Sequence, residues 1–149
     1  MEARLAPYKL APGAYQALSQ MEAYVKQTGL EAPLLELVKT RASQINGCAF
    51  CLAMHTRDAR RAGESEDRLH LLNAWHEAPC YTDRERAALA WTEAVTLVSS
   101  SHVPDAVFEE AKKHFTETEL VNLTMAVIAI NGWNRIAIAF RAQPQLNTN

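Results

Sequence analysis

Cys48, Cys51 and His55 lie within the eight residues "CAFCLAMH". Two thiols three positions apart can close a disulfide, and a histidine four positions further on can take or give the proton that such chemistry moves. The same side chains can form part of a metal clip, with His76 or Cys80 as a fourth ligand, and two cysteines can also be ordinary core residues. Helix geometry discriminates among these. If a helix runs through 48–55, its first and last members are separated by about 10 Å of axial rise, too far for one tetrahedral zinc. Only a helix starting at or after Cys51 would relieve that, and there is no second CxxC. The reading favoured is an activated dithiol. Gly47 and Cys48 sit where the helix begins, so unpaired amides and the positive end of the dipole favour thiolate over thiol.

The elements that must position these groups all read as helices, with no sustained strand-like alternation. A first helix is expected from about Pro12 to Lys26 and a second from about Pro33 to Ile45, broken by Asn46 and Gly47. The third covers about Cys48 to Ala62, followed by a shorter one over about Ser65–Trp75. Thr82 with Glu85 and Thr116 with Glu119 have capping-box spacing, opening helices that reach about Val98 and Arg141; Pro104 opens another in between. On the third helix Cys48, Cys51, Leu52, His55, Ala59 and Ala62 share one stripe, opposite Arg57, Arg60 and Arg61. The thiols therefore face inward. The last helix, with "LVNLTMAVIAINGW", reads as a central core helix or one buried between subunits, because Asn122, Thr124, Asn131, Asn134 and Arg135 interrupt its apolar run. Gly132 in its interior suggests close approach of another backbone.

Composition bounds the class. At 149 residues and 48% hydrophobic content, the chain fits one compact all-α domain with its core over about 12–142. A net charge of −2 offers no field for the phosphates of nucleic acid. The N-terminal "MEARLAPYKLAPGAYQ" has no uninterrupted apolar stretch, so a cytosolic location is expected, where three cysteines argue for redox or metal chemistry over a structural disulfide framework. No membrane partner is expected. Cys80 reads as a free thiol; His70, His76, His102 and His114 read as surface or loop side chains, and Trp75, Trp91 and Trp133 as packing anchors.

The spacing Glu36, eleven residues, Cys48, two residues, Cys51, three residues, His55 resembles the core motif of the alkylhydroperoxidase AhpD and carboxymuconolactone decarboxylase family. "ELVKTRASQINGCAFC", "YTDRERAALAWTEAVT" and "INGWNRIAIAF" are also similar to that family, so the resemblance extends over about residues 15–142. It implies an AhpD-like bundle of about six to eight helices with the CxxC at the start of a central helix, and an obligate homo-oligomer, trimer or hexamer. It further implies a peroxidase for small organic hydroperoxides that needs no bound cofactor. Cys51 would be the attacking thiolate, Cys48 the resolving thiol, His55 the base and Glu36 the group that orients His55. An external dithiol, lipoyl-linked in the best-known members, would reduce the product.

Two departures qualify the resemblance. The family often has a polar residue, frequently histidine, before the second cysteine; Phe50 stands there and cannot pass a proton. The decarboxylase branch generally lacks the cysteine pair, which this chain has. Periodicity alone also places Glu36 with Thr40 and Ser43, opposite the apolar side of the second helix, so the relay requires that face to be covered by another helix or subunit. A general disulfide reductase or redox sensor is the nearest alternative, and a non-catalytic zinc-holding oligomer the more distant one.

Overall fold

The computed structural model describes residues 2–144 and 146, and among them the secondary structure is helical throughout. In chain order the helices are α1 (Pro7–Leu10), α2 (Pro12–Lys26), α3 (Ala32–Asn46), α4 (Ala49–Arg61), α5 (Glu66–Leu71), α6 (Asp83–Thr96), α7 (Val98–Ser101), α8 (Asp105–His114) and α9 (Glu117–Phe140), with a 3-10 turn over Leu72–Ala74. Both expected capping boxes are present, Thr82 with Glu85 and Thr116 with Glu119. The sequence reading did not anticipate α1 or α7. The expected helix to Val98 stops at Thr96, and a separate single turn, Val98–Ser101, follows it. Beyond it His102 and Val103 both have positive φ, at 50° and 48°. For β-branched Val103 this is unusual backbone, held by the Ser101 hydroxyl, which accepts its N–H, and by packing against the core.

The centre of the fold is α3, which packs against α4, α6 and α9. Leu34, Leu35 and Val38 join Val25, Ala88, Trp91, Leu123 and Val127 in the largest core cluster. Leu37 turns the other way, onto Leu72, Trp75, Tyr81 and Leu89. Thr40 and Ser43, on the side that periodicity would leave in solvent, are fully buried. Being covered all round corrects the amphipathic reading of α3.

In α9 the roles are reversed. Its inner face, including Leu120, Leu123, Ala126, Val127 and Ile130, is buried, while Val121, Ile128 and Ile138 are 63%, 44% and 45% exposed. The helix is long and apolar enough to span a membrane by length and composition, with mean hydropathy 1.4 over its best window, but only a third of that window is buried. It is thus a core helix on one face only. The asparagines that interrupt it work inside the fold: Asn122 accepts from Tyr24, and Asn131 and Asn134 accept from Asn46. At Gly132 the close neighbour is a side chain and not the backbone expected; a methyl group there would lie 3.2 Å from Leu18 of α2.

Candidate functional site

The dithiol is positioned by the way α3 ends. Gly47 adopts the left-handed conformation, φ 68° and ψ 34°; its N–H donates to the Gln44 carbonyl, and the Cys48 N–H donates to the Ser43 carbonyl. This is a Schellman closure, which needs a residue without a Cβ penalty at the left-handed position. Cys48 therefore completes the end of α3 and at once becomes the N-cap of α4, its sulfur accepting the Cys51 N–H at 3.4 Å. Only Gly47 and Cys48 lie between the two helices, which leaves the dithiol little positional freedom.

The two sulfurs are 2.6 Å apart, within bonding reach of each other, and each cysteine is 1% exposed. They pack with Ala42 and Ile130, flanked by Phe50, Trp133 and Ala137. On α4 the buried stripe is Cys51, His55 and Ala59, as the sequence placed them; Ala62 lies beyond the last turn and is exposed. Arg57 is half-buried, and Arg60 and Arg61 are exposed, with Arg60 paired to Glu66.

His55 is buried, and its Nδ1 lies 2.8 Å from Glu36 Oε2. Glu36 belongs to the interior of the same chain, its side chain 19% exposed, so no second subunit is needed to cover it. Desolvation by itself would raise the Glu36 carboxyl, but the hydrogen bond and charge of His55, with Lys39 and Lys26, hold it below the ordinary 4.5. An ionised carboxylate can only accept, so His55 carries its proton on Nδ1. This leaves Nε2 as the atom that can take a proton or give one.

Electrostatics separates the two cysteines. The Cys48 thiol is brought down to about 7, first by the hydrogen bond with Cys51 and then by backbone N–H groups of Cys51 and Phe50 and the side chain of Asn134. Cys51 is pushed up, chiefly by that same contact and by burial. The pair thus loses its first proton near neutrality, with the charge resting on Cys48 at the helix N-cap, and holds its second more tightly than an ordinary thiol does. The resemblance assigns the attacking thiolate to Cys51, whereas the resting charge sits on its neighbour.

Other residues complete the setting without having been singled out from sequence. Asn134 is fully buried; its Oδ1 accepts from Asn46 and its Nδ2 donates to Ser43. Lys39, also buried, pairs with Glu22 of α2 and lies 3.8 Å from Glu36 Oε1. A lysine three positions after Glu36 in a helix otherwise rich in leucine was the available signal. Arg57 borders a small hollow on the flank of α4 with Phe50, Ala53 and Met54. The remaining histidines stay outside the site. His70, His76 and His102 are exposed, with His76 stacked on Trp75, and His114 lies by Glu110. Cys80 is a free thiol at the edge of the second core cluster.

Comparison with known proteins identifies the family and the fold. The sequence profile of the carboxymuconolactone decarboxylase family matches residues 12–94. YdfG of Bacillus subtilis (strain 168), an uncharacterized protein, is 43% identical over 139 residues, covering 93% of this chain and 95% of its own. A crystal structure of a protein of unknown function from Agrobacterium tumefaciens is 44% identical and superposes with a TM-score of 0.96, over 98% of this chain and 100% of that one. An uncharacterized peroxidase-related protein from Ralstonia eutropha JMP134, described as an alkylhydroperoxidase AhpD core, shares the fold at 22% identity, with a TM-score of 0.81 over 93% of this chain and 74% of that one. The fold is accordingly that of AhpD and peroxidase-related proteins, here with a cysteine pair, and the chain belongs to the carboxymuconolactone decarboxylase family.

Proposed function

We propose that the protein is a thiol-dependent peroxidase that reduces small organic hydroperoxides through Cys48 and Cys51, with His55 and Glu36 as its proton relay. The observation that carries this reading is the buried pair of sulfurs in contact at a helix N-cap, on the same helix as a histidine whose tautomer is set by an ionised carboxylate. The name of the Agrobacterium relative carries a provisional assignment to antioxidant defence as AhpD, which fits the proposal. Sulfurs that are 1% exposed also favour an oxidant as small as a hydroperoxide over a folded protein's disulfide.

The chemistry balances as follows. The Cys51 proton passes to the Cys48 thiolate at 2.6 Å or to His55 Nε2, giving a thiolate at Cys51. That thiolate attacks the terminal oxygen of ROOH, the O–O bond breaks, and RO⁻ leaves as ROH with a proton from His55 or Cys48. Cys51 is then a sulfenic acid. Cys48, as thiolate, attacks its sulfur; the S–O bond breaks, hydroxide leaves as water with a proton drawn from solvent, and a Cys48–Cys51 disulfide remains. An external dithiol, of which a lipoyl group is one, returns the disulfide to thiols by exchange. Phe50 adds no proton acceptor, so the relay is the short one through His55 and Glu36. Self-association belongs to the same proposal: Val121, Ile128 and Ile138 present an apolar face on α9 suited to a second copy.

Adding cumene hydroperoxide to fully reduced protein is expected to consume both thiols of the pair and form the Cys48–Cys51 disulfide, with turnover once dihydrolipoamide is supplied. Cys51→Ser is expected to lose at least about 100-fold in peroxide consumption, the scale of removing a catalytic nucleophile. If Cys51→Ser consumes peroxide as fast as the parent protein, the assignment is wrong. The disulfide-reductase or sensor reading, which the absence of a polar group at Phe50 favours, predicts instead fast reaction with a small disulfide and slow reaction with peroxide.

A further inference from the structure

Glu36 uses its two oxygens on different partners. Oε2 meets His55 Nδ1 at 2.8 Å, and Oε1 faces Lys39 Nζ at 3.8 Å. Lys39 itself is 1% exposed, although lysine is rarely buried without paired charge. Taking its ammonium out of water is costly unless carboxylates compensate, and two do: Glu36 on its own helix and Glu22 from α2, which accepts a direct hydrogen bond. The charged groups acting on Glu36 are therefore Lys39 from α3, His55 from α4 and Lys26 from α2. Pairwise contacts connect Glu22, Lys39, Glu36 and then His55, from the partly exposed α2 to the interior face of α4 that carries Cys51.

We propose that Lys39 is a positioning residue for the dithiol, holding Glu36 ionised with one oxygen turned to His55, and that Glu22 on α2 balances its charge and tunes the site from outside. The inference rests on reading Cys48, Cys51, His55 and Glu36 as one reactive unit. Lys39 acts through Glu36 and His55 and is not itself at the reacting atoms. An ammonium too far from the sulfurs to transfer a proton still shapes the potential they experience, because little solvent intervenes to screen it. Lys39 favours the thiolate, and Glu22 offsets that effect.

The test uses the pH dependence of iodoacetamide alkylation of the reduced protein, which requires no peroxide. Lys39→Met removes the cation and is expected to raise the midpoint of thiolate formation by about half a pH unit or more, whereas Glu22→Gln removes the opposing anion and lowers it by a similar amount. Lys39→Arg, which keeps the charge, is expected to return the midpoint most of the way to the parent value. The double variant Glu22→Gln/Lys39→Met, without either charge, is expected to fall between the two single variants. A purely structural ion pair would change thermal stability in these variants and leave every midpoint in place, which overturns the proposal. Should Lys39→Met fail to fold, Glu22→Gln still decides, since an unmoved midpoint in that variant overturns the proposal. Measuring cumene hydroperoxide turnover in parallel keeps the two claims apart: midpoints that shift as stated in a protein that consumes no peroxide support the role of Lys39 and sink the peroxidase reading.

Discussion

Cys48 and Cys51 are equally buried, yet they do not share the charge equally. The hydrogen bond between the two thiols is the first cause of the difference, and the N-cap position adds to it, since Cys48 receives the Cys51 N–H at the end of α4 where the dipole is positive. The alkylation rate of the reduced protein is accordingly expected to rise with a midpoint at about 7, against about 9.0 for an ordinary thiol. In Cys48→Ser the remaining Cys51 is without the N-cap contact and is still held up by burial, so its midpoint is expected to lie well above that of the parent protein, read from the same pH profile. A Cys48→Ser profile superimposable on the parent's would show that the charge rests on Cys51. CxxC and histidine spacing made three of these residues readable from sequence. Which sulfur holds the charge was not readable, because it depends on where the helix begins to within a single residue: the expected start at Cys48 and the observed start at Ala49 place that sulfur in different electrostatic positions.

At the level of elements, two residues, Gly47 and Cys48, join the helices that carry the site. Gly47 closes α3 with φ 68°, and a methyl group added there would meet nothing within 4 Å. The cost of a side chain is thus purely conformational. Gly47→Ala is expected to destabilise the fold by about 1–2 kcal/mol, and Gly47→Asn by less because asparagine tolerates the left-handed region, as measured by urea denaturation. Equal stability of Gly47→Ala and the parent would mean that the link between α3 and α4 is not held as described. Capping boxes, proline-opened helices and the Gly47 break are local signals, and each was legible before the structure. The short helices α1 and α7 were not, because a single turn carries too little periodic pattern to stand out from a loop.

For the whole molecule, the pairing of carboxylates with cations and N–H donors makes stability depend on acid. Glu31, Glu36, Glu93 and Glu119 are all held below the ordinary 4.5, by Arg84 at Glu31, by His55 and Lys39 at Glu36, by Trp75 and Arg41 at Glu93, and by the Thr116 backbone and Arg84 at Glu119. Groups depressed in the folded state contribute stability that is fully present above their unfolded value and is lost as pH falls through the folded one. Tm is therefore expected to be level above about pH 5 and to fall progressively below it, with Glu36→Gln flattening the fall. A Tm that rises as the solution is acidified through that range would contradict these assignments.

What the sequence determined by itself is what depends on neighbours along the chain: an all-helical class, the caps and breaks, and a thiol pair one turn before a histidine. A resemblance in spacing added Glu36, against its own periodicity. Tertiary structure decided which helix lies at the centre. With α4, α6 and α9 all packed around it, the polar side of α3 becomes interior, and Glu36 and Lys39 must be paired there because isolated charges are costly away from water. Hydrophobic patterning reports one face of a helix at a time and carries no information about what covers the other. For that reason the Cys48–Cys51–His55 half of the site could be read from the sequence and Glu36 from the resemblance, while the Glu22–Lys39 pair behind them appeared only once the helices were assembled.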